Sequence, residues 1–400
     1  MAAKMLFKVV LMFMVVNCFS WYGSGWSTQG DKQSALEEVK KDYDAWISWQ
    51  ILQRSKINSV NNVKDKNGRS NSLTGLEKKV REAEEDKRVI IVCPNGRGDF
   101  TTIKDAVHSI DINNTRRTVV YIKAGLYREK VLVPKTKPFV TFMGDESEQP
   151  IITGNDTAST IGMDGKPMKT FHSATVAVNS DYFIAYNIRF ENTAPYPEAG
   201  SVGGQAVALR ISGNKAAFYN CSFYGTQDTL YDHKGLHYFK SCFIQGSMDF
   251  IFGYGRSLYA NCLIRSIAKG VAALTAQKRS NASMASGFSF LNCRITGSGL
   301  VYLGRAWGDH SRVVFGYTYM DSIVLPEGWN DWGCPERERT VYYAQYNCTG
   351  PGANTTGRVQ WGRILSDEEA SPFLSTSFIR GTKWLMGHPS LSLIIPCLIC

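Results

Sequence analysis

Tyr219-Asn-Cys-Ser-Phe223, Phe239-Lys-Ser-Cys-Phe243, Tyr259-Ala-Asn-Cys-Leu263 and Phe290-Leu-Asn-Cys-Arg294 repeat one short pattern, with cysteine at 221, 242, 262 and 293. The spacings are 21, 20 and 31 residues, and Tyr186-Asn-Ile-Arg-Phe190 and Tyr319-Met-Asp-Ser-Ile323 read as weaker copies without the cysteine. Repeats of this length mark solenoids, and strand-sized units with apolar side chains on alternate positions predict a β-solenoid over a helical one. The fold class expected is therefore all-β, a parallel β-helix. Equivalent residues on successive coils of such a stack lie about 4.8 Å apart. That spacing lets Cys221 and Cys242 either bond or join Cys262 and Cys293 in a buried ladder of small apolar side chains.

Working outward, short β-branched runs broken by Gly and Asn begin at Val89: Val89 to Val92, Thr118 to Ile122 and Phe139 to Met143, each read as one buried strand. Ile103 to Ile110 is the best helix candidate and is placed to cap the end of the stack. Upstream, residues 28–88 are rich in Lys, Glu and Asp and read as a charged leader with helical stretches at Ala35 to Ile51 and Leu76 to Glu85. Residues 1–27 carry Lys4 and Lys8 around an apolar run, the order of a secretory signal peptide, and that run is shorter than the roughly 20 residues a membrane span needs. Residues 89–385 form the expected main domain. Residues 386–400 are a variable tail ending Cys397-Leu-Ile-Cys400, a prenylation-like end that an exported chain would not use.

Export agrees with six N-x-S/T sequons, at Asn113, Asn155, Asn220, Asn281, Asn347 and Asn354, and with ten cysteines. The formal charge is +10, or +8 once Lys4 and Lys8 leave with the signal. A basic surface favours polyanions. No zinc-finger spacing or basic helix points to nucleic acid, which leaves acidic polysaccharide as the partner outside the cell. His233 and His237 have i, i+4 spacing but lack the glutamate of a zinc-protease motif and read as ordinary polar residues. No phosphate-binding loop or metal cluster is found in the sequence, and no cofactor is expected.

Asp228 lies seven residues after Cys221 and Asp249 seven after Cys242, so the repeat places both at one position on adjacent coils. Two carboxylates so stacked repel, which pushes their pKa values apart and leaves one protonated beside an ionised neighbour. Such a pair can supply an acid and a nucleophile or base; the bland reading is that stacked acids only cap turns. Gln205 and Gln227 offer uncharged amide donors for an oxyanion. Arg305 can grip a carboxylate bidentately, and Trp307, two residues on and on the same strand face, offers a flat surface to a sugar ring.

The segments Gly125-Leu-Tyr-Arg-Glu129, Gln205-Ala-Val-Ala-Leu-Arg210, Gly225-Thr-Gln-Asp-Thr-Leu230, Asp249-Phe-Ile-Phe-Gly253 and Leu303-Gly-Arg-Ala-Trp307 resemble, in order, the signature blocks of plant pectin methylesterases. The resemblance runs from about Val89 to Leu385. It implies a right-handed single-stranded parallel β-helix of the pectin lyase type. The implied reaction is hydrolysis of pectin methyl esters to pectate and methanol in the cell wall, or apoplast, after secretion. By the same resemblance Asp249 is the nucleophile, Asp228 the acid and then base, Gln205 and Gln227 the oxyanion hole, and Arg305 the residue that keeps Asp249 ionised. Thr175, Tyr231, Phe252 and Trp307 would contact the galacturonate chain, as would Gln205 and Arg305. The chain departs from the family pattern at Ala306, Met248 and Thr226, none of which carries the chemistry. Its leader is short and free of cysteine, like the branch without an inhibitor-like pro-domain. A monomer is expected, with a separate proteinaceous inhibitor as a partner. Competing readings are a glycosidase built on two close carboxylates and a wall-binding protein without activity.

Overall fold

The computed structural model describes residues 76–198 and 201–385; the signal, most of the leader and the tail lie outside them. Within them the chain winds as a right-handed parallel β-helix. Eleven strands, from Arg88–Val92 to Arg363–Ile364, stack as the first face. Fourteen more build a second and a third face, and these fuse because Leu263–Gln277 and Arg294–Ala306 run on from one face into the other. The helix Ile103–His108 closes the N-terminal end of the stack by burying Ile103, Ala106 and Val107. Its first amides, at Ile103 and Lys104, donate to the Glu129 carboxylate at 3.0 and 2.9 Å.

The repeated pentapeptide is a corner, not a single strand. Between the first and second faces, Asn187, Asn220, Ser241, Asn261, Asn292, Tyr317 and Asn347 all adopt φ between 47° and 56°. That left-handed conformation is costly for most side chains and least so for asparagine, which explains why asparagine holds five of these seven corners. The asparagines also bond along the stack: Asn220 Nδ2 donates to Asn187 Oδ1 at 3.0 Å and Asn292 Nδ2 to Asn261 Oδ1 at 3.1 Å. Before each corner an aromatic ring stacks on its neighbour, as Phe218–Phe239, Phe239–Tyr259, Tyr259–Phe290 and Phe290–Phe315, with centroids 4.5–4.8 Å apart. This register corrects one copy read from sequence. The corner equivalent near 319 is Tyr317-Thr318, not Tyr319-Met320, because Tyr319 pairs with Arg294 on the second face. It also adds a further copy of the corner, at Tyr346-Asn347-Cys348.

The residue after each corner points into the core. Cys221, Cys242, Cys262 and Cys293 are all buried and all free, so the Cys221–Cys242 bond considered from sequence is not formed and the ladder is. Stacked register positions send their side chains in parallel, whereas a disulfide requires the two Cβ atoms to converge to about 3.8 Å. Each thiol instead donates to a carbonyl, Cys221 to Tyr219 at 3.4 Å and Cys242 to Phe218 at 3.5 Å.

The end of the leader is integral to the solenoid. Helix Lys78–Glu85 buries Val80 and Ala83 among Val119, Tyr121 and Tyr182 of the first face. Glu77 N donates to Lys383 O at 2.8 Å, joining this segment to the C-terminal one. Glu84 Oε1 accepts from Arg117 Nε at 2.9 Å, with both side chains under 10 % exposed (7 % and 2 %). Removing one charge from such a pair leaves the other buried and unmatched, which costs about 3 kcal/mol. Glu84→Gln is therefore expected to lower the unfolding midpoint in urea at unchanged slope; an unmoved midpoint would show that Arg117 finds water instead.

Candidate active site

Asp228 and Asp249 occupy the turn that leads into the third face. Leu230 pairs with Ile251, and Gln227 bridges Met248, so the two aspartates stand at one register position on adjacent coils. Asp228 N donates to Met248 O at 3.0 Å and Asp249 N to Ala273 O at 2.8 Å, which fixes both backbones. Both residues are left-handed, with φ of 64° and 50°, a strained state that a fold retains only where its surroundings over-determine it. Both are nearly withdrawn from water, at 8 % and 6 % exposure.

Arg305 reaches the site from two coils further on, through Phe252↔Ala276 and Ala276↔Arg305. Its Nε donates to Asp249 Oδ1 at 2.7 Å and its Nη2 to Oδ2, a bidentate grip. The guanidinium lies 3.7 Å above the Trp332 ring, which holds its plane. Burial pushes the Asp249 carboxyl up, and the hydrogen bond and charge of Arg305 oppose that push. Asp228 is driven well above the usual carboxylate range, first by burial and then by the charge of Asp249, with Arg305 acting weakly the other way. The arrangement thus separates the pair: Asp249 has the cation bonded to it, and Asp228 is the one that keeps a proton.

Gln205 and Gln227 flank this pair, both half-buried. Ala206 N donates to Gln227 O at 3.0 Å, tying their loops together, and Gln227 Oε1 lies so close to Gly204 that a side chain there would sit 3.3 Å from it. Along the third face Tyr231 and Phe252 stack with centroids 4.2 Å apart, and Trp307 lies 6.2 Å from Phe252. Thr175 is 2 % exposed, and its hydroxyl donates to Glu191 O at 2.9 Å.

Three residues of the site escaped the reading of the sequence: Trp332 under Arg305, Phe171 edge-on to Tyr231 at 6.3 Å, and Lys278 with its ammonium 4.1 Å above Trp307. None lies inside a repeated block, and each arrives from a neighbouring coil or a long turn. The histidines are also less ordinary than they read. His237 is fully buried, bonded to Asp232 at 2.5 Å and to Gly213 O at 2.9 Å, while Tyr259 OH donates to Asp232 at 2.7 Å. His233 bonds Ser212 and Tyr254, each at 2.9 Å, and burial with nearby Arg210 pushes its pKa down to about 4, leaving a neutral ring beside Tyr231.

This geometry can be set beside known proteins. The chain is 44% identical over 347 residues to Pectinesterase QRT1 of Arabidopsis thaliana, covering 86% of this chain and 90% of that one. The solved pectin methylesterase from carrot is 36% identical, with a TM-score of 0.67 over 74% of this chain and 94% of its own. A pectin methylesterase solved in complex with a hexasaccharide matches at 25% identity and a TM-score of 0.62, over 72% of this chain and 96% of its own. The pectinesterase family model matches residues 89–382, from the first strand to the last turn that packs on the stack. By fold, by extent and by sequence, the chain belongs to the pectinesterase family.

Proposed function

We propose that Asp249 and Asp228 carry out the hydrolysis of pectin methyl esters, with the carboxylate gripped by Arg305 beside a second, buried carboxyl as the observation that carries this assignment. The enzyme is a carboxylic ester hydrolase, a pectinesterase, and pectin is its substrate. Asp249 attacks the ester carbonyl, and the carbonyl electrons move onto oxygen. The amides of Gln205 and Gln227 donate to that oxyanion. As the tetrahedral intermediate collapses, Asp228 gives its proton to the departing methoxy oxygen, and methanol leaves a mixed anhydride on Asp249. Asp228, now ionised, takes a proton from water; the resulting attack releases pectate and restores both groups. Arg305 keeps Asp249 charged within a site whose burial favours the neutral acid. Tyr231, Phe252 and Trp307 receive the sugar chain, and the hexasaccharide bound by a related structure agrees with a groove of this kind.

Methanol release from highly methylated pectin, with reducing ends assayed in parallel, tests this reading against the glycosidase one. Methanol without new reducing ends supports the esterase; reducing ends without methanol would overturn it. An inert but folded protein would favour a wall-binding role. Gln227→Ala is expected to lower kcat about 100-fold with a small change in KM, since an oxyanion donor acts mainly in the transition state. A rise in KM alone would place Gln227 in ground-state binding. The signal-like opening and the sequons support secretion to the cell wall, and among the described residues no helix is long and apolar enough to cross a membrane. We further expect a monomer that a separate proteinaceous inhibitor can cover.

A further inference from the structure

The corner where the third face turns into the first carries a cluster of arginines that the ester chemistry does not use. Arg256 and Arg312 open the first-face strands Arg256–Ala260 and Arg312–Gly316, two coils or roughly 10 Å apart along the stack, and Gly287, the register partner of Arg256, stands between them. A side chain at Gly287 would meet Arg312 Nε at 2.6 Å, so glycine leaves the room into which that guanidinium leans. Both guanidiniums lie over one ring, that of Phe378, at 5.0 and 5.8 Å from its centroid. Phe378 arrives with the C-terminal segment, which also carries the exposed Arg380. The crowding of charge is felt: burial, then Arg279 and Arg256, push the Arg312 guanidinium down to about 10, and burial, then Arg380, push Arg256 down. Arg279 has its donors committed, to the carbonyls of Met284 and His310 at 2.9 and 3.1 Å and to that of Ala282. Arg312 places Nε and Nη2 on Ser286 O at 2.9 and 2.5 Å. Arg256 Nε is closed off from water without an acceptor, and among the described residues neither Arg256, Arg312 nor Arg380 is paired with a carboxylate. Glu369, whose charge is felt by Tyr342 on the next coil, accepts from Ser366 N at 3.0 Å and caps its own helix, Asp367–Ala370.

We propose that Arg256, Arg312 and Arg380 form a second polysaccharide site, outside the catalytic groove, that binds the carboxylates of de-esterified pectin and holds the enzyme on its own product. The inference goes beyond the esterase reading and takes from it only the ligand, since a pectinesterase leaves free carboxylates along the chain it acts on. Guanidinium groups without an anion in a half-buried cluster are costly, and a carboxylate accepts two of their N–H groups at once. The Phe378 ring holds Arg256 and Arg312 in place before any ligand arrives, so little side-chain freedom is lost on binding. A methyl ester carries no charge and offers the cluster nothing to grip. The turns at 253–255, 278–286 and 308–311 lie between the third-face strands and the arginines, so the cluster faces a different side of the stack from Asp228 and Asp249. Each ester hydrolysed in the groove thus adds a ligand for the corner, and retention on the polymer rises as de-esterification proceeds.

The test measures binding to immobilised, fully de-esterified pectate at low salt, together with kcat/KM on a short methylated oligogalacturonate that fills only the groove. Arg256→Gln/Arg380→Gln is expected to weaken pectate binding about fivefold, the scale of two partly exposed ion pairs, with kcat/KM on the short substrate unchanged. High salt should erase the difference from wild type. Lys104→Gln/Lys135→Gln removes the same net charge at exposed positions near the N-terminal end of the stack and is expected to bind as wild type does. Arg380→Gln alone, at an exposed position, should show about a twofold loss, so the test stands even where loss of the Arg256 contact with Phe378 prevents folding. Pectate binding that neither arginine variant weakens, or an equal loss in the lysine control, overturns the inference and leaves the esterase reading intact. Absence of methanol from a folded wild type that still binds pectate through these arginines overturns the esterase reading alone.

Discussion

Asp249→Asn is expected to lower methanol release by at least about 10⁴-fold, the scale on which loss of a covalent nucleophile is felt. Asparagine is the informative replacement here. It has nearly the shape of aspartate and tolerates the left-handed φ of 50° that this position demands, so the fold should survive the change. It also removes a buried charge that burial disfavours, which should leave stability equal or raised even though the Arg305 guanidinium loses its partner's charge. Kinetics and thermal unfolding measured on the same preparation separate the two effects. Inactive protein with an unchanged melting curve supports Asp249 as the nucleophile. Residual activity within tenfold of wild type would mean that water, activated by Asp228, attacks the ester directly and that no anhydride forms.

Arg305→Met is the second large effect, expected at about 10³-fold in kcat/KM, at the upper end of what one electrostatic contact contributes. Its pH dependence is the sharper signature. In the native site burial raises the Asp249 carboxyl and Arg305 pulls it back. Without the guanidinium only the raising influences remain, so Asp249 takes up its proton at higher pH. Because the nucleophile must be ionised, the acid limb of the kcat/KM profile should move to higher pH in Arg305→Met and return most of the way in Arg305→Lys. The basic limb reports the proton on Asp228, raised chiefly by burial. With the Arg305 charge gone, that limb should not move to lower pH. An acid limb that stays in place would show that Arg305 only orients Asp249, or acts on the substrate.

The balance between sequence and fold is visible at individual positions. The cysteine spacing sufficed to bring Asp228 and Asp249 together, because a parallel solenoid converts equal offsets in the repeat into neighbours one strand apart. Thr175 came from the family resemblance and not from the repeat, and its hydroxyl donates to the Glu191 carbonyl, a contact set by the path of a neighbouring coil. The cysteine pair shows the limit in a different form: register predicts that Cys221 and Cys242 are adjacent, whereas bonding requires their Cβ atoms to converge, and stacked side chains run parallel.

By itself, then, the sequence determined the coil, the register of the two coils that carry the acid pair and the chemical identity of that pair, since each follows from equal offsets in the repeat. Only the tertiary structure decided that Trp332 lies beneath the Arg305 guanidinium and that Lys278 stands over Trp307; the partnership of Arg305 with Asp249 was implied by the family resemblance and takes its bidentate form in the fold. Those contacts join residues from coils and turns of unequal length, where no period relates one position to the next. Burial raises both aspartates and the Arg305 contact pulls Asp249 back, and both effects belong to the packed chain and to no single residue in it.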